Sequence, residues 1–141
     1  MPIRGAQATW EGDLKQGKGS LKLDSGAFQG TYSFATRFEE APGTNPEELI
    51  GAAHAGCFTM ALSAELQKAG FTADTLSTVA NVTLENHPQT SWTVTRIHLE
   101  TTAKVPAITP EKFAEIAAGA KAGCPISRLF KAEITLDAKL V

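Results

Sequence analysis

A chain of 141 residues with 43% hydrophobic and 20% charged residues, 12 Gly and 7 Pro has the make-up of one ordinary globular domain, which excludes disordered and collagen-like classes. Thirteen Lys and Arg against fifteen Asp and Glu give a net charge of −2 without a basic stripe, so no nucleic-acid partner and no anionic membrane surface is expected. The least interrupted apolar stretch, Leu49 to Leu62, contains His54 and Cys57 and falls short of the roughly 18 residues that span a bilayer, and the N-terminus lacks the pattern of a secretory signal; a soluble, cytoplasmic protein is expected.

Residues 6 to 36 read as β structure. Ala6, Ala8 and Trp10 alternate with polar neighbours, Leu21 and Leu23 and then Tyr32 and Phe34 follow, and Gly12, Gly17, Gly19, Gly26 and Gly30 punctuate the segment. Glu39 to Gly43 is a turn. Thr44 and Asn45 are then cap candidates, Pro46 suits a first helical position, and Glu47 and Glu48 place acids in a first turn. The helix that starts here runs to about Ala69 with Gly70 as its stop, a length of about 36 Å if unbroken. Between Leu49 and Leu66 nearly every residue is apolar or small, and a helix with almost no polar face calls for burial on all sides.

Two long strands follow, around Leu76 to Glu85 and Trp92 to Val105, and the short connection His87-Pro88-Gln89-Thr90 makes them an antiparallel hairpin. A second helix opens with Thr109 as cap and Pro110 at its first position, runs through Phe113, Ile116, Ala117 and Ala120, and stops at Gly123. Cys124-Pro125-Ile126-Ser127 begins another short helix, and a last strand alternates Ile134, Leu136, Ala138 and Leu140. The expected fold is a single α+β domain over residues 1 to 141, an antiparallel sheet wrapping a long central apolar helix. One sheet covers only one side of such a helix, so the free side predicts a second copy of the same surface and hence a homodimer.

Cys57 and Cys124 are the only cysteines. In a reducing compartment a structural disulfide is the lesser reading, which leaves inert core thiols, part of a metal site, or a pair that cycles between thiol and disulfide. Cys57 lies mid-helix in the most apolar segment, where burial alone keeps a thiol protonated and inert. A nucleophilic role requires a cation in contact, because the helix N-terminus is about 15 Å away along the axis. Arg37, in Thr36-Arg37-Phe38 at the end of a predicted strand, is the best such cation, the bland alternative being a solvated surface arginine. Glu47 or Glu48 could hold its guanidinium bidentately, or serve only the helix dipole. His54, one turn before Cys57, offers a Cys/His pair or two metal ligands, but no CxxC or HxxxH spacing occurs, and His87 and His98 fall at a turn and in a strand; no metal site is expected. There is also no nucleophile elbow and no Gly-rich phosphate loop ahead of a helix.

Trp10-Glu11-Gly12-Asp13, Thr36-Arg37-Phe38-Glu39, the run from Asn45-Pro46-Glu47-Glu48 to His54-Ala55-Gly56-Cys57-Phe58, and Lys121-Ala122-Gly123-Cys124-Pro125 together resemble the OsmC/Ohr family of osmotically inducible and organic hydroperoxide resistance proteins. The resemblance extends over the whole chain and is closest to the osmotically inducible branch. It implies a thiol-dependent peroxidase for organic and, less well, inorganic hydroperoxides, acting in oxidative-stress defence and built as an intertwined homodimer with active sites at the subunit interface. By the same resemblance Cys57 is the peroxidatic and Cys124 the resolving cysteine, Arg37 stabilises the thiolate and binds peroxide, and Glu47 orients Arg37. It further implies no bound cofactor and an external dithiol electron donor of the lipoyl type. Phe58, Ala53 and Met60 are expected to line an apolar pocket worth roughly 0.8 kcal/mol per buried CH₂ of an alkyl hydroperoxide.

Glu47 and Cys57 are separated on one helix by nearly three turns, so they are expected to meet only across a two-fold, with Cys57 and Cys124 of one subunit facing Arg37 and Glu47 of the partner. The competing classes are a non-catalytic binder of small apolar ligands, a thiol redox sensor, and a Cys-dependent acyl hydrolase with His54 as base.

Overall fold

Sheet, turn and helix signals resolve into two compact units in a computed structural model that describes Met1–Val141: Met1–Leu49 and Ile50–Val141. In the first, strands β1 (Ala6–Glu11), β2 (Lys18–Leu23) and β3 (Gln29–Tyr32) form an antiparallel sheet in that order. Gly19, opposite both Trp10 and Tyr32, has to be glycine, since a Cβ there would lie 2.4 Å from the Tyr32 ring. The space is taken by an aromatic pair, Trp10 and Tyr32, with ring centroids 5.4 Å apart.

The strand reading to residue 36 is corrected here. Helix α1 (Phe34–Phe38) follows β3 directly, because Ser33 stops the strand with a capping box: its hydroxyl accepts from the Thr36 amide at 3.2 Å while the Thr36 hydroxyl accepts from the Ser33 amide at 2.8 Å. Arg37 therefore sits on a helical turn rather than at a strand end.

Helix α2 (Pro46–Lys68) starts where Pro46 predicts, with the Asn45 side chain accepting from the Glu48 amide at 2.8 Å. It ends in a Schellman motif: Gly70 has φ 89°, its amide reaches the Gln67 carbonyl at 3.0 Å, and the Phe71 amide reaches Leu66 at 2.9 Å.

In the second unit β4 (Thr75–His87) and β5 (Ser91–Lys104) pair antiparallel, with a bulge at Thr83/Leu84. Helices α3 (Pro110–Gly123) and α4 (Pro125–Leu129) follow, then β6 (Glu133–Leu140), which pairs parallel to β5. The expected wholly antiparallel sheet is thus mixed at one edge, because two helices intervene between β5 and β6 and turn the connection into a crossover. Phe58, Leu62 and Leu66 of α2 pack with Ile97, Leu99 and Ala103 of β5 and with Phe113, Ala117 and Ala120 of α3 in a fully or nearly fully buried core. Gly51 lets α2 run close over β4, where a Cβ would stand 3.4 Å from the Ala80 carbonyl oxygen.

By length and composition α2 could also cross a membrane; its row of His54, Phe58, Leu62 and Leu66 is completely buried in protein. The expectation of burial on every side is met on one face only. Ala52, Ala53, Gly56 and Met60 remain exposed, Met60 at 78%.

Candidate active site

Cys57 projects from the middle of α2, and Cys124 occupies the joint between α3 and α4, serving as last cap of one helix and first cap of the next. Pro125 forces that joint: it cannot continue α3 but suits the first position of α4. The two Sγ atoms lie 3.0 Å apart as free thiols, Cys124 fully buried and Cys57 partly so.

Burial pushes the Cys57 thiol up, the neighbouring Cys124 sulfur pushes it further, and the Ile126 amide opposes both. Burial acts the same way on Cys124, but hydrogen bonds from the Cys57 thiol, from the Ser127 amide and hydroxyl and from the Ile126 amide outweigh it and bring its pKa below the ordinary thiol value.

Arg37 and Glu47 meet in the first unit. Arg37 Nη2 and Nε donate to Glu47 Oε1 at 2.7 and 3.1 Å, and Nε also reaches Oε2 at 3.3 Å. Glu47 is buried, and its carboxylate is held in this forked contact. Glu48 is the acid that does not hold Arg37; it accepts from the Thr44 hydroxyl at 2.7 Å. Beside Arg37 an apolar pocket of about 270 Å³ opens between Trp10, Leu14, Tyr32, Phe34 and Phe38. This pocket was missed in the sequence, where its aromatics read as strand alternation. The expected lining is corrected as well: Phe58 has no exposed surface and belongs to the core.

His54 is turned away from a role as base for Cys57. It is completely buried against Phe130, with ring centroids 5.7 Å apart, and its Nε2 is 2.7 Å from the Ser127 hydroxyl. Burial holds its pKa below 6.5. Ser127 was not singled out as a site residue, although its place one helical turn after Cys124 was the available signal. No group of three or more His, Cys, Asp or Glu side chains is assembled in a way that could hold a metal ion.

Residues 39–139 match the family of OsmC-like proteins. The chain belongs to the OsmC-like family. Peroxiredoxin OsmC of Escherichia coli (strain K12) is 52% identical over 135 residues, covering 95% of this chain and 94% of the relative. The OsmC-like fold recurs in solved structures of much lower identity. An OsmC-like protein of unknown function from Vibrio cholerae superposes with a TM-score of 0.81 at 17% identity, over 98% of this chain and 99% of the other. An organic hydroperoxide resistance protein from Elizabethkingia anophelis does so with a TM-score of 0.75 at 22% identity, over 99% and 96%.

Proposed function

We propose that this OsmC-like protein is a thiol-dependent peroxidase that reduces organic hydroperoxides, and hydrogen peroxide less well, in defence against oxidative stress. The observation that carries the reading is the pair of free sulfurs of Cys57 and Cys124 at 3.0 Å, one on the central helix and the other at a helix joint. The Cys57 thiolate attacks the terminal peroxide oxygen, the O–O bond breaks, and the alkoxide leaves and takes a proton to become the alcohol, leaving a sulfenic acid on Cys57. The Cys124 thiolate then attacks the Cys57 sulfur; the S–S bond forms as hydroxide leaves and is protonated to water. An external dithiol of the lipoyl or a similar class restores both thiols by exchange, and no bound cofactor takes part.

Because the local environment raises the Cys57 pKa, the attacking thiolate needs a cation, and Arg37, aligned by Glu47, supplies it. The unit that acts is a homodimer of single-domain chains, with Cys57 and Cys124 of one subunit facing Arg37 and Glu47 of the partner, and the site lies at the interface. The exposed Ala52, Ala53, Gly56 and Met60 of α2 support this assembly, since an apolar helix face of this kind calls for cover. The aromatic pocket beside Arg37 seats the alkyl group of the substrate, and the cytoplasm is the compartment in which two free thiols are kept reduced.

Stopped-flow oxidation of the reduced protein by one equivalent of cumene hydroperoxide, with product masses, tests the reading. The expected product is the Cys57–Cys124 disulfide, lost in Cys57→Ser and replaced by a sulfenic acid in Cys124→Ser. Thiols no faster than free cysteine would overturn it in favour of an apolar-ligand binder.

A further inference from the structure

Helix α1 has only five residues, too few to hold itself together in water, so its position depends on what fastens its two ends. The capping box of Ser33 and Thr36 fastens the first. At the second, the Glu39 amide takes the Ala35 carbonyl at 3.0 Å, and the next carbonyl, that of Thr36, has no backbone donor. Thr36 is buried, where an unpaired carbonyl is costly. Asn45 supplies the donor: its Nδ2 donates to the Thr36 carbonyl oxygen at 3.0 Å.

The other arm of the same side chain belongs to α2. Asn45 Oδ1 accepts from the Glu48 amide at 2.8 Å, the bond that caps the helix. A cap needs only an acceptor, and Ser, Thr or Asp would provide it. The contact with Thr36 needs a donor set beside that acceptor, and a side-chain amide has both. The intervening chain is built for this approach. Gly43 has φ 138°, and a Cβ there would lie 2.8 Å from both the Thr31 carbonyl oxygen and Thr36 Cγ2, so the turn closes against α1 only with glycine. The buried Thr44 fixes the next position, its amide donating to the Thr31 carbonyl at 2.9 Å and its hydroxyl to Glu48 at 2.7 Å.

Arg37 directly follows Thr36, and Glu47 lies two residues after Asn45, so this amide joins the two backbones from which the Arg37–Glu47 ion pair is built, all within the unit Met1–Leu49. The Glu47 side chain is 11% exposed and that of Arg37 39%, which makes the guanidinium the partner with room to move away. We propose that Asn45 is a positioning residue for the peroxidatic step: through its two amide arms it sets α1 against the first turn of α2 and so aims the guanidinium that Glu47 holds. Its purpose rests on the reading of Arg37 as the cation for Cys57, whereas the tie between the two helices does not.

Two substitutions separate the arms. Asn45→Asp keeps the acceptor and removes the donor, and Asn45→Ser leaves one polar atom where two are needed; in either, α2 keeps its cap. In the reduced protein, heteronuclear NMR follows the Arg37 Nε–H, identified by its loss in Arg37→Lys, and its exchange with water should quicken about tenfold in both variants as the ion pair opens more often. Stopped-flow oxidation of Cys57 by cumene hydroperoxide should slow by about three- to tenfold in both, with the denaturation midpoint close to that of the unmodified protein. In an Arg37→Lys background Asn45→Asp should slow oxidation by less than about twofold further, because its effect runs through the guanidinium. Unchanged exchange at Arg37 in either variant overturns the proposal. So does faster exchange with undiminished oxidation, or slowing that persists in full in the Arg37→Lys background, the mark of a general loss of structure. If the unmodified protein reacts with hydroperoxide no faster than free cysteine, the peroxidase reading falls, and the Arg37 Nε–H exchange alone judges whether Asn45 holds the guanidinium.

Discussion

The sulfurs of Cys57 and Cys124 are in contact at 3.0 Å although 67 residues separate them in the chain. A disulfide between them would close a long loop, and loop closure of this size lowers the entropy of the unfolded chain. The oxidised form is expected to be more stable than the reduced form by about 2–4 kcal/mol. Guanidinium denaturation with and without a dithiol reductant measures the difference.

Arg37 and Glu47 form a forked ion pair in which Nη2 and Nε both engage the carboxylate. Arg37→Lys keeps the charge but loses the fork, so oxidation of Cys57 by hydroperoxide should slow by roughly 10- to 100-fold, and Glu47→Gln should slow it by about tenfold. Stability should change by less than about 1 kcal/mol in Arg37→Lys, because the Arg37 side chain is 39% exposed. The combination of slow oxidation with an unchanged denaturation midpoint, read by stopped flow and chemical denaturation, is the expected signature.

Met60 stands at the centre of the exposed face of α2. Met60→Glu should leave the core intact, since no buried contact is lost, yet place a charge where a second subunit is proposed to pack. Light scattering after size exclusion is expected to show a dimer for the unmodified protein and monomers for the variant, with peroxidase turnover lost alongside. A monomeric unmodified protein would exclude the shared site.

Burial depresses the His54 pKa from its ordinary 6.5, so the unfolded chain takes up a proton near that pH while the folded chain takes it up only at lower pH. The stability contributed by the neutral ring is complete above pH 6.5 and is lost as pH falls through the window down to the folded-state value, with a slope of at most about 1.4 kcal/mol per pH unit. His54→Gln has no such proton to take up. Urea denaturation of both proteins between neutral and mildly acidic pH should show the steeper loss in the unmodified chain.

Local signals account for what could be read directly. Pro46 and Asn45 open α2, Gly70 closes it, Thr109 and Pro110 open α3, and the short turn after His87 forms a hairpin, because caps and turns are decided by neighbours in sequence. Helix α1 was hidden because Tyr32 and Phe34 mimic strand alternation and its capping box uses Thr36 instead of the usual acid or amide. The direction of β6 was equally invisible, since side-chain alternation is the same in parallel and antiparallel pairing. At the site, residue types and motif resemblance singled out both cysteines, Arg37 and Glu47. The tie between His54 and Ser127 spans 73 residues and depends on how α4 packs, which no local pattern encodes.

The crossover that carries Cys124 lies between β5 and β6, and β6 must lie down beside β5 before that crossover is pinned in place. On the ribosome, Cys57 emerges well ahead of both Cys124 and the strand that fixes it. A growing chain therefore presents Cys57 without its partner until the residues through Leu140 have cleared the exit tunnel. A sulfenic acid formed on Cys57 in that interval would have no neighbouring thiol to condense with and would stay open to further oxidation, so the crossover that delivers Cys124 is also what would keep the reaction reversible.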